Sequence, residues 1–143
     1  MQDQGQSRIV AQRFHDLIKD ISFAMFTTVT ADGGLRSRPM VASENAFDGA
    51  LWFFTRTKSA VAQEIAGNQQ VNVTYVSAPE DRFISVSGSA SVVRDLDRAA
   101  HMWSSAYSQW FAGGANDPEL SLIRIETSRV EYWDRKAGRM QEM

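Results

Sequence analysis

The chain has 143 residues, 15 basic and 17 acidic, for a formal net charge of −2, and it has no cysteine. That length suits one compact domain able to bury a core unaided. The charge offers no basic field to a nucleic-acid backbone, and the lack of thiols excludes disulfides and thiolate metal sites and fits a reducing cytoplasm.

Residues 1–7 (MQDQGQS) read as a polar leader without the apolar centre of a signal peptide. Residues 8–19 (RIVAQRFHDLIK) place Ile9, Val10, Phe14, Leu17 and Ile18 at helical spacing, with His15 at the apolar edge. Residues 22–30 (SFAMFTTVT) are rich in aromatic and β-branched side chains and predict a strand. The turn signal ADGG at 31–34 joins it to a second strand over 35–43 as a hairpin. Asp48-Gly49 marks another turn, and LWFFT at 51–55 a third, strongly apolar strand.

The period then changes. Residues 59–66 (SAVAQEIA) predict a short helix closed by Gly67-Asn68. Strands follow over 71–76 (VNVTYV) and 83–93 (FISVSGSASVV), where Gly88 marks a bend or bulge. Asp95 caps a helix reaching to about Tyr107. After a loop with Gly113-Gly114 and Asp117-Pro118, residues 120–125 and 130–133 give a last strand with an interruption near Thr127-Ser128. No apolar run approaches the roughly 18 residues of a transmembrane helix. Six strands, hairpin turns and a few short helices predict a mainly β fold, a six-stranded antiparallel barrel with flanking short helices.

Two stretches invite chemistry. In LRSRPMV, a period of two puts Arg36 and Arg38 on one face and Ser37 and Pro39 on the other. The pair is either a solvated strand face or a clamp for phosphate or carboxylate, because guanidinium is a planar fork of donors. Pro39 cannot donate to a ladder, which places this end of the strand at an edge or where pairing ends. In TRTKS, Thr55, Thr57, Lys58 and Ser59 sit where a strand meets a helix whose first N–H groups lack partners. That reads as ordinary capping or as an anion site. Both stretches flank the third strand, so one phosphate is able to touch both. Trp110-Phe111 lie in an irregular Gly-rich segment, where a large aromatic covers a subunit interface or a flat ligand. Trp52 and Trp103 read as packing, and Asp95, Asp97 and Asp117 have no base nearby in sequence. His15 and His101, far apart, argue against an imidazole metal centre.

Taken together, GLRSRPM from Gly34, LWFFT from Leu51, the Ser-led helix before VNVTY, ISVSGSASVVRD from Ile84, the helix with Trp103, then WFAGGANDPELSLIRIE and VEYWD resemble the pyridoxamine 5′-phosphate oxidase-like FMN-binding split barrels, and within them the bacterial general stress proteins. The resemblance runs from about Ile9 to Asp134. It implies a split barrel and an FMN bound at a homodimer interface. The FMN phosphate would be held by Arg36 or Arg38 together with Thr55, Thr57, Lys58 and Ser59. The backbone after the arginine, near Pro39-Met40, would line the isoalloxazine ring, and Ser37 and Trp110 are candidates for contact with the same ligand. It implies redox chemistry on a small molecule, with a non-catalytic flavin carrier or sensor, or a barrel holding another anionic ligand such as haem, as alternatives. Two positions depart from the family pattern. Its Ser-x-Lys reads Ser59-Ala60-Val61 here. The C-terminal YWDRKAGRMQEM carries Arg135 and Arg139 but lacks the histidine that grips pyridoxamine phosphate.

Overall fold

The computed structural model of the chain describes residues 4–42 and 49–143, with side chains from residue 11 onward. Ser43, expected to end a strand, and Asp48 of the expected turn lie outside the described residues. The elements are helix α1 (Gln4–Ile18), strands β1 (Phe23–Val29), β2 (Leu35–Val41) and β3 (Ala50–Arg56), helix α2 (Ala60–Gly67), strands β4 (Gln70–Ser77) and β5 (Arg82–Val93), helix α3 (Leu96–Met102), and strands β6 (Leu120–Asp134) and β7 (Arg139–Glu142).

Local chemistry explains most boundaries. The β1–β2 hairpin closes with Thr30 N donating to the Gly34 carbonyl at 2.8 Å, and Gly33 supplies the positive φ the turn needs, +85°. Ser59 caps α2 by accepting from Ala62 N at 3.1 Å, and Asp95 caps α3 by accepting from Arg98 N at 3.0 Å. Helix α1 starts at Gln4, earlier than the apolar spacing predicts. Helix α3 stops at Met102 rather than near Tyr107, and a 3-10 turn, Ser105–Tyr107, follows. Trp103 leaves the helix with extended backbone (ψ 138°), and its ring meets Phe54 edge-on at 6.1 Å. Packing against β3 here outweighs helical continuation.

The strand order is β2-β1-β4-β5-β6-β3, and β7 pairs with β6. All pairs are antiparallel. Strand β6 is continuous. Ser87 faces Arg129 while Gly88 faces Thr127, so Ser128 is the extra residue of a bulge. The glycine in one strand and the apparent break in the other are two sides of that one irregularity. Strands β2 and β3 are not neighbours; they end the strand order on opposite sides, and among the described residues β2 pairs with β1 alone. Pro39 therefore sits on an edge, where its missing N–H costs nothing.

The sheet curls until its far strands meet: Phe26 on β1 touches Phe53 on β3 edge-on at 5.9 Å. The result is a six-stranded antiparallel split barrel with β7 appended. Its interior holds Phe26, Phe53, Tyr75, Val86, Ile123 and Ile125, and α1 and α2 cover it through Phe14 and Ile65. Arg82 fastens α1, donating to the carbonyls of Asp16 (3.2 Å) and Leu17 (2.9 Å) in the last helical turn, where carbonyls lack intrahelical partners. A second apolar cluster of Ala99, Met102, Phe111, Leu120 and Leu122 lies under α3, with Trp52, Phe54, Trp103 and Tyr107 packed against it.

Candidate functional site

The two β2 arginines share one face, as their spacing predicts, and helix α2 meets them there. Arg38 Nη2 contacts Glu64 Oε1 on α2 at 2.5 Å, and Arg38 Nη1 donates to Thr28 Oγ1 on β1 at 2.7 Å. Thr28 Oγ1 in turn donates to Glu64 Oε1 at 2.7 Å. This closed triangle satisfies a buried hydroxyl and a largely buried ion pair together; the Arg38 and Glu64 side chains are 19% and 15% exposed. Arg36, 59% exposed, reaches the other carboxylate oxygen at 3.5 Å. On the opposite face of β2, Ser37 Oγ bonds Thr27 Oγ1 at 2.6 Å, and Pro39 stands opposite Met25. Met40 returns inward and packs against the core.

The Thr28 hydroxyl, followed by the Arg38 and Arg36 guanidiniums, holds the Glu64 carboxyl below its ordinary 4.5 against the opposing effect of burial. A depressed carboxylate pKa adds stability that is whole above the unfolded value and lost as pH falls through the folded one. Glu64→Gln is therefore expected to be less stable than the parent near neutrality, and the gap should close as pH drops below 4.5. Urea titrations of both proteins across that range check this; a gap independent of pH refutes it.

The second group lies at the start of α2. Thr55 Oγ1 and Ser59 Oγ are 2.9 Å apart, and Thr57 Oγ1 and Ser121 Oγ are 2.7 Å apart. Thr55 is buried, whereas Thr57 and Lys58 are exposed. A cleft of about 360 Å³ opens here, lined by Arg56, Thr57, Lys58, Ser59, Pro118 and Glu119. Asp117 shapes its far wall by accepting from the backbone N–H groups of Glu119 and Gly113, each at 2.9 Å. Those bonds hold its carboxyl below the ordinary range. Asp117 and Asp95 thus do structural work. Val61, in the slot where the family pattern has lysine, is buried in the barrel core.

Both groups meet α2 without merging. Glu64 lies five positions beyond Ser59, about 7.5 Å along the helix axis. Helix α2, not a shared strand, brings them near each other. The aromatic segment divides. Phe111 is buried under α3, while Trp110 is 41% exposed. Arg56 ties this segment to β3, donating to the Trp110 carbonyl at 2.6 Å and meeting Glu119 at 2.9 Å.

Sequence reasoning missed Glu64 and Thr28, and it left the arginine of TRTKS, Arg56, without a role. Alternation over Ala24, Phe26 and Thr28 puts the threonine on the buried face, and Glu64 sits three positions after Val61, at the rim of the apolar face of α2. Both signals exist, but neither says which side chain waits opposite. Among the described residues no group of His, Cys, Asp and Glu is arranged to hold a metal, and no helix is long and apolar enough to cross a membrane.

A family model described as "Pyridoxamine 5'-phosphate oxidase like" matches residues 10–143. The chain belongs to this family. Among curated relatives of this pyridoxamine 5′-phosphate oxidase-like chain is the protein bli-3 of Neurospora crassa, 28% identical over 134 residues, or 85% of this chain and 64% of that protein. The match thus spans less than two thirds of that relative's length. Among solved structures, general stress protein 26 from Bacillus anthracis superposes with a TM-score of 0.78 at 21% identity, covering 94% of this chain and 98% of that one; this likeness speaks for the fold. The general stress FMN/FAD binding protein from Xanthomonas citri superposes with a TM-score of 0.73 at 27% identity, covering 88% and 89%.

Proposed function

We propose that this chain binds a flavin, FMN, and works as a homodimer, with the bound flavin serving redox chemistry on a small molecule. The observation that carries the reading is the donor set around α2: Arg36 and Arg38 near Glu64, and Lys58, Thr57 and Ser59 lining a cleft at the helix start. A phosphate monoester carries close to two negative charges at neutral pH, and hydroxyls and a cation beside the positive end of a helix suit it. The Xanthomonas relative, named for FMN/FAD binding, supports the same ligand class. With Val61 buried, Lys58 and Arg56 are the cations left at this end of the helix. Thr55 and Ser59 hold each other's hydroxyls in place, and Arg36 through Met40 offer the strand edge along which a planar ring would lie. Trp110 presents an exposed aromatic face beyond the cleft. When bound, FMN would supply electron transfer, while the protein supplies its orientation and surroundings.

The second copy is argued from the outer face of the barrel. Phe23 and Met25 on β1 and Val76 on β4 are exposed apolar side chains, with Val41 and Pro39 opposite the first two on β2. Beside them runs a row of uncharged polar groups, including Ser37 bonded to Thr27 and Asn72 bonded to Ser85 and Ser87. Across β2, β1 and β4 this outer face is poor in charge, bordered on β6 by the Arg129–Glu131 ion pair, and such an apolar patch is suited to burial against another surface.

The test is the visible absorption spectrum of the purified protein before and after FMN addition, with sedimentation of the same sample. A resolved flavin spectrum that survives desalting, on a dimeric species, is the expected result. A colourless protein that ignores FMN overturns the flavin reading, and a monomer that retains FMN overturns the dimer.

A further inference from the structure

A cleft of about 550 Å³ separates the β1–β2 turn from α2, lined in part by Val29, Thr30, Gly33, Gln63, Glu64 and Asn68. That volume falls in the range of small-molecule sites. Among its described lining residues Glu64 alone carries a charge, and neither Arg36 nor Arg38 is one of them. Glu64, which lines this cleft, also bonds Arg38 at 2.5 Å and approaches Arg36 at 3.5 Å. It also accepts the Thr28 hydroxyl, so its place is fixed by β1 and β2 together.

We propose that Glu64 sets the affinity of the α2 site for an anionic ligand, by holding both guanidiniums to itself and repelling the incoming charge. The proposal rests on the reading of this site as a seat for a flavin phosphate. Two arginines and one carboxylate leave a single net positive charge. An anion reaching for Arg36 must share that guanidinium with Glu64 and sit near a like charge. Glutamine keeps an oxygen able to accept from Thr28 and Arg38, so Glu64→Gln removes the charge while preserving the shape. Removing one like charge several ångströms from a phosphate, in partly exposed surroundings, is expected to strengthen binding about five- to tenfold.

Salt separates this electrostatic role from a packing role, because salt screens charges and leaves packing alone. FMN is titrated by fluorescence quenching into the full chain and into Glu64→Gln, at ionic strengths of about 0.01 M and about 1 M. The expected result is tighter binding by Glu64→Gln at low salt, with the difference collapsing at high salt. Equal or weaker binding by Glu64→Gln at low salt overturns the proposal and leaves the flavin reading intact, as does a difference that salt does not touch. If neither protein binds FMN, the flavin reading falls and the proposal falls with it. Thermal melts accompany each titration. If Glu64→Gln unfolds at the working temperature, both proteins are titrated at a lower temperature where it is folded, with the same expectations.

Discussion

Gly88→Ala is expected to destabilise the fold by about 3 kcal/mol, the upper part of the range for overpacking a tight site. A Cβ at this position would lie 2.4 Å from the Glu126 carbonyl oxygen and 2.9 Å from Ile125 Cγ2. The nearer obstacle is backbone, and it belongs to the strand that β5 pairs with. It cannot turn aside as a flexible side chain would, so relief requires opening the β5–β6 ladder at the bulge. Urea denaturation reads this as a lower midpoint at unchanged slope. An unchanged midpoint would show that the strands do not approach so closely at the bulge.

Arg38→Ala should cost about 2–3 kcal/mol and also weaken FMN binding. Removing one partner of a largely buried pair leaves the other charged and unpartnered, and that penalty exceeds the worth of the bond itself. Here Glu64 loses its nearest cation and is left with the Thr28 hydroxyl and the more distant Arg36 at 3.5 Å, and the buried Thr28 hydroxyl loses one of its two partners. Arg38→Lys should restore little of the loss, since one ammonium cannot reach Thr28 and Glu64 with the two ends of a fork. Chemical denaturation of both variants, with FMN titration at a temperature where each is folded, separates the two effects. An Arg38→Ala protein as stable as its parent would mean that the triangle contributes nothing to folding.

How far the sequence reached depended on the kind of interaction. Strands β1 through β6 were legible because alternation, turn residues and β-branched runs are local signals, and Gly33, Ser59 and Asp95 act where a turn or cap needs them. Helix α3 read too long because Trp103 is decided by Phe54, a partner from a distant strand. Strand β7 left no trace because RMQE has weak strand character; it forms where β6 offers an open edge beyond β3. The candidate site divides in the same way. Arg36, Arg38, Lys58 and Ser59 advertise themselves by residue type and spacing. Glu64, which bonds both arginines, belongs to an ordinary-looking helix and acquires its meaning from the fold.

Strand β6 gives the barrel an order of assembly. It pairs with β5 along one edge, and with β3 and then β7 along the other. Among the described residues, β3 finds its only ladder partner in β6, across a long stretch of intervening chain. Closing so large a loop costs entropy before the contact repays it. During synthesis, β3 thus emerges well ahead of its partner and must wait with its apolar side chains, Leu51 and Phe53 among them, until β6 arrives. The half-made barrel is the form of this protein most in need of protection from its own kind.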